Sequence, residues 1–261
     1  MTELDRGERV SVDGIGSFDD VDCETFDVDG TCSVAGDVLA DRVLVDGATD
    51  VGGRVDAREL DADGSLTVAG VVHVDVVHLD GATEVGGNLD VHEVDGDGAT
   101  EIAGSLVASG ARFDGTVAVG GLTDVTTLTV DGVGRFDDVN ADAFTVDGAL
   151  HAGDVAADSF EFDVHDDSTA ETVSGAEIRV RRGDHDPSLL ARFVGSDDGT
   201  FTVGTVEGGT VALDATDAET VVGEHVTLGP DADVAVVYTD DLDADPAASV
   251  GEVRSFDAYG G

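Results

Sequence analysis

An apolar residue followed by Asp, usually with Gly next, recurs along this chain at Val12, Val28, Val45, Leu60, Leu79, Val94, Phe113, Val130 and Val146. The spacings are 16, 17, 15, 19, 15, 19, 17 and 16 residues. A period near 17 is too long for a hairpin pair and suits one turn of a solenoid, where each unit buries its apolar face only against its neighbours. Longer matches reinforce the repeat. VDGATDVGGRVDARELDADG, from Val45, returns 34 residues later from Leu79 as LDGATEVGGNLDVHEVDGDG. VDGIGSFDDVDCETFDVDG, from Val12, returns from Val130 as VDGVGRFDDVNADAFTVDG.

Two residues before each anchor stand Val10, Phe26, Val43, Arg58, Val77, His92, Ala111, Leu128 and Phe144, mostly apolar, and the residue between is mostly polar. Alternation of period two means short strands with one face buried, and Val-rich runs broken by Asp-Gly turns argue against helix. The expected architecture is all-β, a parallel β-helix with coils of about 17 residues. Nine coils stacked about 4.8 Å apart would make a rod of roughly 43 Å with equivalent residues in columns. In this register Glu59, His78, Glu93 and Arg112 fall in one outward column, where opposite charges would pair across coils, and His92 falls in a mostly inward one.

After about Val164 the pattern loosens around Pro187 and the close cluster Arg179, Arg181 and Arg182, and it resumes near Thr200. The domain reading is therefore a polar tail over 1–9, a main solenoid over 10–164, an insertion or linking subregion over 165–199, a shorter C-terminal stack over 200–256 and a tail over 257–261. Pairing of the Arg cluster with the chain's own carboxylates is favoured over docking of an acidic partner.

Charge narrows the partners. Twelve basic residues, all Arg, face 58 acidic ones, for a net charge of −46. The acids alternate with Val and Ala along the whole chain, unlike an acidic tail or a disordered segment. Such a surface repels nucleic acid and anionic lipid. It also repels itself unless salt is high, so a high-salt cytoplasm is expected. The start, Met1 to Arg6, lacks a signal-peptide core and no run is long and apolar enough to span a bilayer, which predicts a cytoplasmic protein without direct membrane insertion. Cys23 and Cys32 fit neither a CxxC site nor a disulfide framework and read as buried thiols.

The absence of lysine removes the Walker A, Schiff-base and protein-kinase lysines, and no G-x-S-x-G or HExxH motif occurs. No catalytic, cofactor or metal residues are assigned. Two alternatives remain open. His73, His78 and His92 are close enough in coil terms to suggest a trimeric left-handed β-helix enzyme of the acyltransferase or carbonic-anhydrase-like type, whose metal ligands would have to converge. Asp61-Ala62-Asp63-Gly64 and Asp95-Gly96-Asp97-Gly98 resemble the start of a calcium loop, as a calcium-binding surface repeat would need, but position twelve is Val72 or Leu106 where Glu is required.

A solenoid's terminal coils present open strand edges and an apolar cross-section, and neither end here carries an amphipathic capping helix. The first coil offers Val10, Val12, Ile15 and Phe18, and the last offers Val250, Val253, Phe256 and Tyr259, as candidate self-association residues. The coils from Val10 to Phe162, and more specifically the stretch Gly204 to Val253 with its Val226-Thr227-Leu228-Gly229-Pro230 turn, resemble the bactofilins, or polymer-forming cytoskeletal proteins, and their haloarchaeal relatives the halofilins. The resemblance implies nucleotide-independent apolar filaments joined through end coils. They would serve cell shape or the positioning of partner proteins, with membrane association through a partner. Two departures are the missing N-terminal membrane-targeting stretch and the interruption around Gly183 to Gly195.

Overall fold

The computed structural model of the protein describes residues 9–183 and 199–259. It is a parallel β-solenoid with coils of about 17 residues, about 14 turns in all. The chain divides into two units at Leu128/Thr129.

In the first unit each coil is a long strand followed by a short one. The long strands are β3 (Val21–Val28), β5 (Val38–Val45), β7 (Val55–Ala62), β9 (Val72–Leu79) and β11 (Leu89–Gly96). The short ones are β4 (Thr31–Val34), β6 (Ala48–Val51), β8 (Ser65–Val68), β10 (Ala82–Val85) and β12 (Ala99–Ile102). Before them come β1 (Arg9–Val12) and β2 (Ile15–Phe18), and after them β13 (Leu106–Ala152), which continues into the second unit. Every strand pairs in parallel with its equivalent one coil away: Val21 with Val38, Val38 with Val55, Val55 with Val72, and Val72 with Leu89. Strands too short to stand alone thereby stack into a continuous aliphatic core.

The register corrects two of the nine sequence anchors. Val28 pairs with Val45, Val45 with Ala62, Ala62 with Leu79, and Leu79 with Gly96. The coil equivalents are thus Ala62 and Gly96, not Leu60 and Val94, which lie one inward position earlier beside Val43 and Val77. The apparent 15 and 19 spacings are two errors of two residues around an even 17. Small residues do not stand out as core in a linear pattern; Gly96 is small because Phe113 lies beside it, its ring 2.9 Å from where a Cβ would project.

The same shift splits the expected outward column. Arg42, Glu59, Val76 and Glu93 form one column, and Asp27, Leu44, Asp61, His78, Asp95 and Arg112 another. Arg58 and His92, placed by sequence in a mostly inward column, are exposed. A third column runs Asp22, Leu39, Asp56, His73, Asp90 and Val107. In each of these columns acids are separated by an apolar, His or Arg residue. Like charges about 4.8 Å apart on neighbouring strands destabilise a sheet, so in these three strand columns the charge pattern repeats every second coil while the fold repeats every coil; the Asp-Gly bends, with Asp29, Asp46, Asp63, Asp80 and Asp97, keep an acid at every coil. That is the physical origin of the 34-residue match. Elsewhere acids do face each other one coil apart, Glu84 with Glu101, Asp147 with Asp163 and Asp217 with Asp233.

Two glycine-rich bends close each coil. At the Asp-Gly bend, Ala48 N–H donates to the Gly30 carbonyl at 2.8 Å, Ser65 to Gly47 at 2.9 Å, Ala82 to Gly64 at 3.1 Å and Ala99 to Gly81 at 3.0 Å. A Cβ on Gly47, Gly64 or Gly81 would fall onto the carbonyl oxygen of the glycine one coil away. Close backbone approach thus fixes glycine at this position. At the other bend Gly53 donates to Gly36, Gly70 to Gly53 and Gly87 to Gly70, at 2.9 to 3.0 Å. Side chains extend that ladder: Asp37 N–H donates to Asp20, and Arg54 N–H to Asp37, each at 3.0 Å.

The second unit continues with β14 (Asp154–Val164), β15 (Ser168–Arg182), β16 (Phe201–Leu213), β17 (Thr216–Leu228), β18 (Asp233–Tyr238), β19 (Asp241–Ala244) and β20 (Ser249–Arg254). β15 lies inside the expected insertion 165–199, yet it pairs with β14 on one side and β16 on the other. The C-terminal coils therefore continue the same ladder instead of starting a second stack. Residues 184–198 of that expected insertion lie outside the described residues. The core here is aromatic: ring centres lie 5.9 Å apart for Phe136 and Phe144, 5.5 Å for Phe144 and Phe160, and 5.2 Å for Phe162 and Phe201. Offset and edge-on rings at these distances add to simple burial.

Candidate self-association ends

At the first coil, β1 pairs with β3 and β2 with β4, and among the described residues neither has a partner on its other side. Of the four residues expected to be adhesive, Ile15 is 94% exposed, Val10 and Phe18 are half-buried, and Val12 is buried. Phe18 sits edge-on to Phe26 with ring centres 6.1 Å apart, so part of it belongs to the core. Val12 likewise points inward, in the column of Val28. Arg9 pairs with the largely buried Asp27 one coil on.

The last coil differs. β19 pairs with β17, and β20 with β18. Val253 is 52% exposed and Tyr259 41%, while Val250 and Phe256 are half-buried. A short 3-10 turn, Phe256–Ala258, follows β20 and contacts β17 and β18. Phe256 N–H donates to Asp240 at 3.3 Å, and the Tyr259 ring packs 5.1 Å from that of Tyr238. Arg254 donates to the Tyr238 hydroxyl and to Glu252, both at 2.7 Å. Its guanidinium holds the Glu252 carboxyl below the usual range, and the same bonds raise the pKa of Arg254 itself.

The other sequence candidates are dispersed. His73 lies 3.4 Å from Asp90, His78 stands between Asp61 and Asp95, and His92 faces solvent. Among the described residues no group of three or more His, Cys, Asp or Glu side chains is arranged to hold a metal. Asp63 and Asp97 sit at the stacked Asp-Gly bends, with Ala62 and Gly96 buried beside them. Cys23 and Cys32 are buried, unpaired thiols, and burial pushes both up from the usual thiol range. The Arg cluster meets the chain's own acids: Arg179 reaches Glu161 at 3.2 Å, Arg181 pairs with Asp163 and Arg182 reaches Asp231 at 3.0 Å.

One feature escaped the sequence. A groove of about 420 Å³ runs across β3, β5, β7 and β9 over the small side chains of Cys23, Ala40 and Ala57. Its rims carry Asp22, Asp56 and His73 on one side and Asp41, Arg58 and Asp75 on the other, with Arg58 bonded to Asp41 at 2.6 Å. The small residues of three successive coils, Cys23, Ala40 and Ala57, were the available signal, legible only in the correct register.

No protein-family model, curated protein or solved structure matches the chain. Among the described residues no helix is long and apolar enough to cross a membrane.

Proposed function

We propose that this chain is a non-enzymatic, self-associating scaffold, copies of which join through their end coils without nucleotide. The observation that carries the reading is Ile15, 94% exposed on a parallel strand that has no partner on its outer side among the described residues. Burying such a side chain contributes about 1.5 to 3 kcal/mol, and pairing the edge satisfies its backbone groups as well. Val253 and Tyr259 supply a second exposed apolar set on the last coil. The resemblance of residues 204–253 to polymer-forming cytoskeletal proteins points the same way, and with it come a cytoplasmic location, a role in cell shape or partner positioning, and a high-salt setting.

Light scattering with negative-stain microscopy in roughly molar KCl, where the Debye length is about 3 Å, tests the proposal. Particles that grow with concentration, and stop growing in Ile15→Asp or Val253→Asp, support it. Those two positions are better probes than Phe18, whose ring packs on Phe26, and Phe256, which is half-buried. A wild type that stays one fixed size at all concentrations overturns the scaffold and makes zinc analysis the next step.

A further inference from the structure

The groove over Cys23, Ala40 and Ala57 involves neither β1 and β2 nor β19 and β20, and it combines two kinds of surface. Its floor is apolar. Leu39 and Ala40 are half-buried there, and Cys23 and Ala57 are buried. In the next two coils the same inward column holds Val74 and Val91, so the small floor is confined to three coils.

The rims are acidic, and their charges alternate out of phase. β3 offers Asp22 and Glu24, β5 Asp41 opposite Leu39, β7 Asp56 opposite Arg58, and β9 Asp75 opposite His73. Every coil therefore turns a carboxylate to the groove, from alternate sides between β5 and β9. Asp22 and Asp56 on one rim, like Asp41 and Asp75 on the other, stand two coils apart, about 9.6 Å. Arg58 is bonded to Asp41, whereas Glu24, Asp56 and Asp75 have no ion-pair partner among the described residues.

A guest for this groove needs positive charge for the rims and aliphatic surface for the floor. Lys and Arg have both, a charged head on a methylene stem. A bare cation would gain nothing from the floor. The groove spans three coil steps, about 14 Å, the length of four or five residues of extended chain. In polyproline II form the third neighbour lies on the same face about 9.3 Å away, close to the two-coil spacing of the carboxylates. The small floor side chains let such a backbone approach.

We infer that this groove docks an extended basic segment of a partner protein, carrying Lys or Arg at every third residue. The inference deepens the scaffold reading, on which it rests for its role, by giving the chemistry of what is positioned. It uses β3 to β9 and neither Ile15 nor Val253, so each reading can fail alone.

Salt separates the groove from the acidic surface at large. In roughly molar KCl the Debye length is about 3 Å, which removes attraction to the overall charge of −46 and leaves only pairs in contact. Under that condition the full chain is titrated into a fluorescent peptide of repeated Lys-Pro-Ala, followed by anisotropy, with circular dichroism as the folding control. The expected result is saturable binding. Its Kd rises about tenfold or more in Asp56→Asn, which removes one contact pair, and in Ala40→Leu, which fills the floor without changing charge. Glu101→Gln removes an equal charge outside the groove and leaves the Kd unchanged. Equal weakening by Asp56→Asn and Glu101→Gln, with none by Ala40→Leu, would mean general attraction to acid and overturns the site. Absence of binding by the wild type overturns it too. Binding that appears only once residues 1–8 are removed makes that segment the occupant, and self-association lost in Ala40→Leu makes it a second copy; either replaces the partner. Peptide binding by a chain that stays monomeric keeps the groove and sinks the scaffold.

Discussion

At the scale of single residues, the outward columns show how so acidic a chain tolerates stacking. Asp61 lies between Leu44 and His78 in its column. Its pKa is raised, first by partial burial and then by the charges of Asp63, Asp80 and Glu59, with His78 acting in the opposite direction. For a carboxyl whose folded pKa lies above its unfolded value, the ionised form is penalised in the fold. The penalty is present at neutral pH and disappears as pH falls through the folded value, above the ordinary 3.8. Asp61→Asn is therefore expected to stabilise the protein at pH 7 and to lose that advantage below about pH 4, the ordinary carboxyl range. Urea titrations of wild type and variant at both pH values check the sign. A variant less stable than wild type at pH 7 would show that Asp61 is held by favourable contacts instead.

Among the elements, the bends matter more than the strands, because Val-rich segments of four to eight residues gain their order from the coil beneath. Gly64 and Gly14 occupy equivalent bends, but only Gly64 has a neighbouring carbonyl where its Cβ would go; around Gly14 there is open space. Gly64→Ala is expected to cost about 3 kcal/mol by forcing two coils apart, and Gly14→Ala well under about 1 kcal/mol. Thermal unfolding of the pair measures the difference, and equal losses would mean that flexibility, not close approach, selects glycine there. These bends were also the most legible part of the sequence. Asp-Gly at 29–30, 46–47, 63–64, 80–81 and 97–98 keeps an even step of 17 and announces a parallel solenoid before any strand is assigned. What misled was hydrophobicity, since Leu60 and Val94 look like better anchors than the buried Ala62 and Gly96. In a column the volume of a side chain is set by its neighbours one coil away, and a linear pattern does not display them. The ends were legible as apolar, but the inward turn of Val12 and the packing of Phe18 on Phe26 are tertiary facts.

For the whole molecule, the alternation of acids fixes how stability must depend on salt. In the strand columns an interposed neutral or basic residue moves like charges from one coil spacing to two, from about 4.8 to about 9.6 Å, while the acids of the Asp-Gly bends stay one coil apart. At 0.1 M salt the Debye length is about 10 Å, so acids two coils apart still repel; at 1 M it is about 3 Å and they do not. The net charge of −46 sums many such pairs. The melting temperature should therefore rise steeply in KCl between about 0.1 and 1 M and flatten beyond, where screening at this distance is already complete. NaCl should give the same curve, because screening depends on ionic strength and not on the cation. EDTA should leave it unmoved, whereas a calcium-stapled repeat would melt earlier. A melting temperature that is flat or falling across this range would mean that the interleaved Arg and His, with pairs such as Arg42–Glu59 at 2.9 Å, already balance the columns at low salt. Screening those attractions would then cost as much as it relieves.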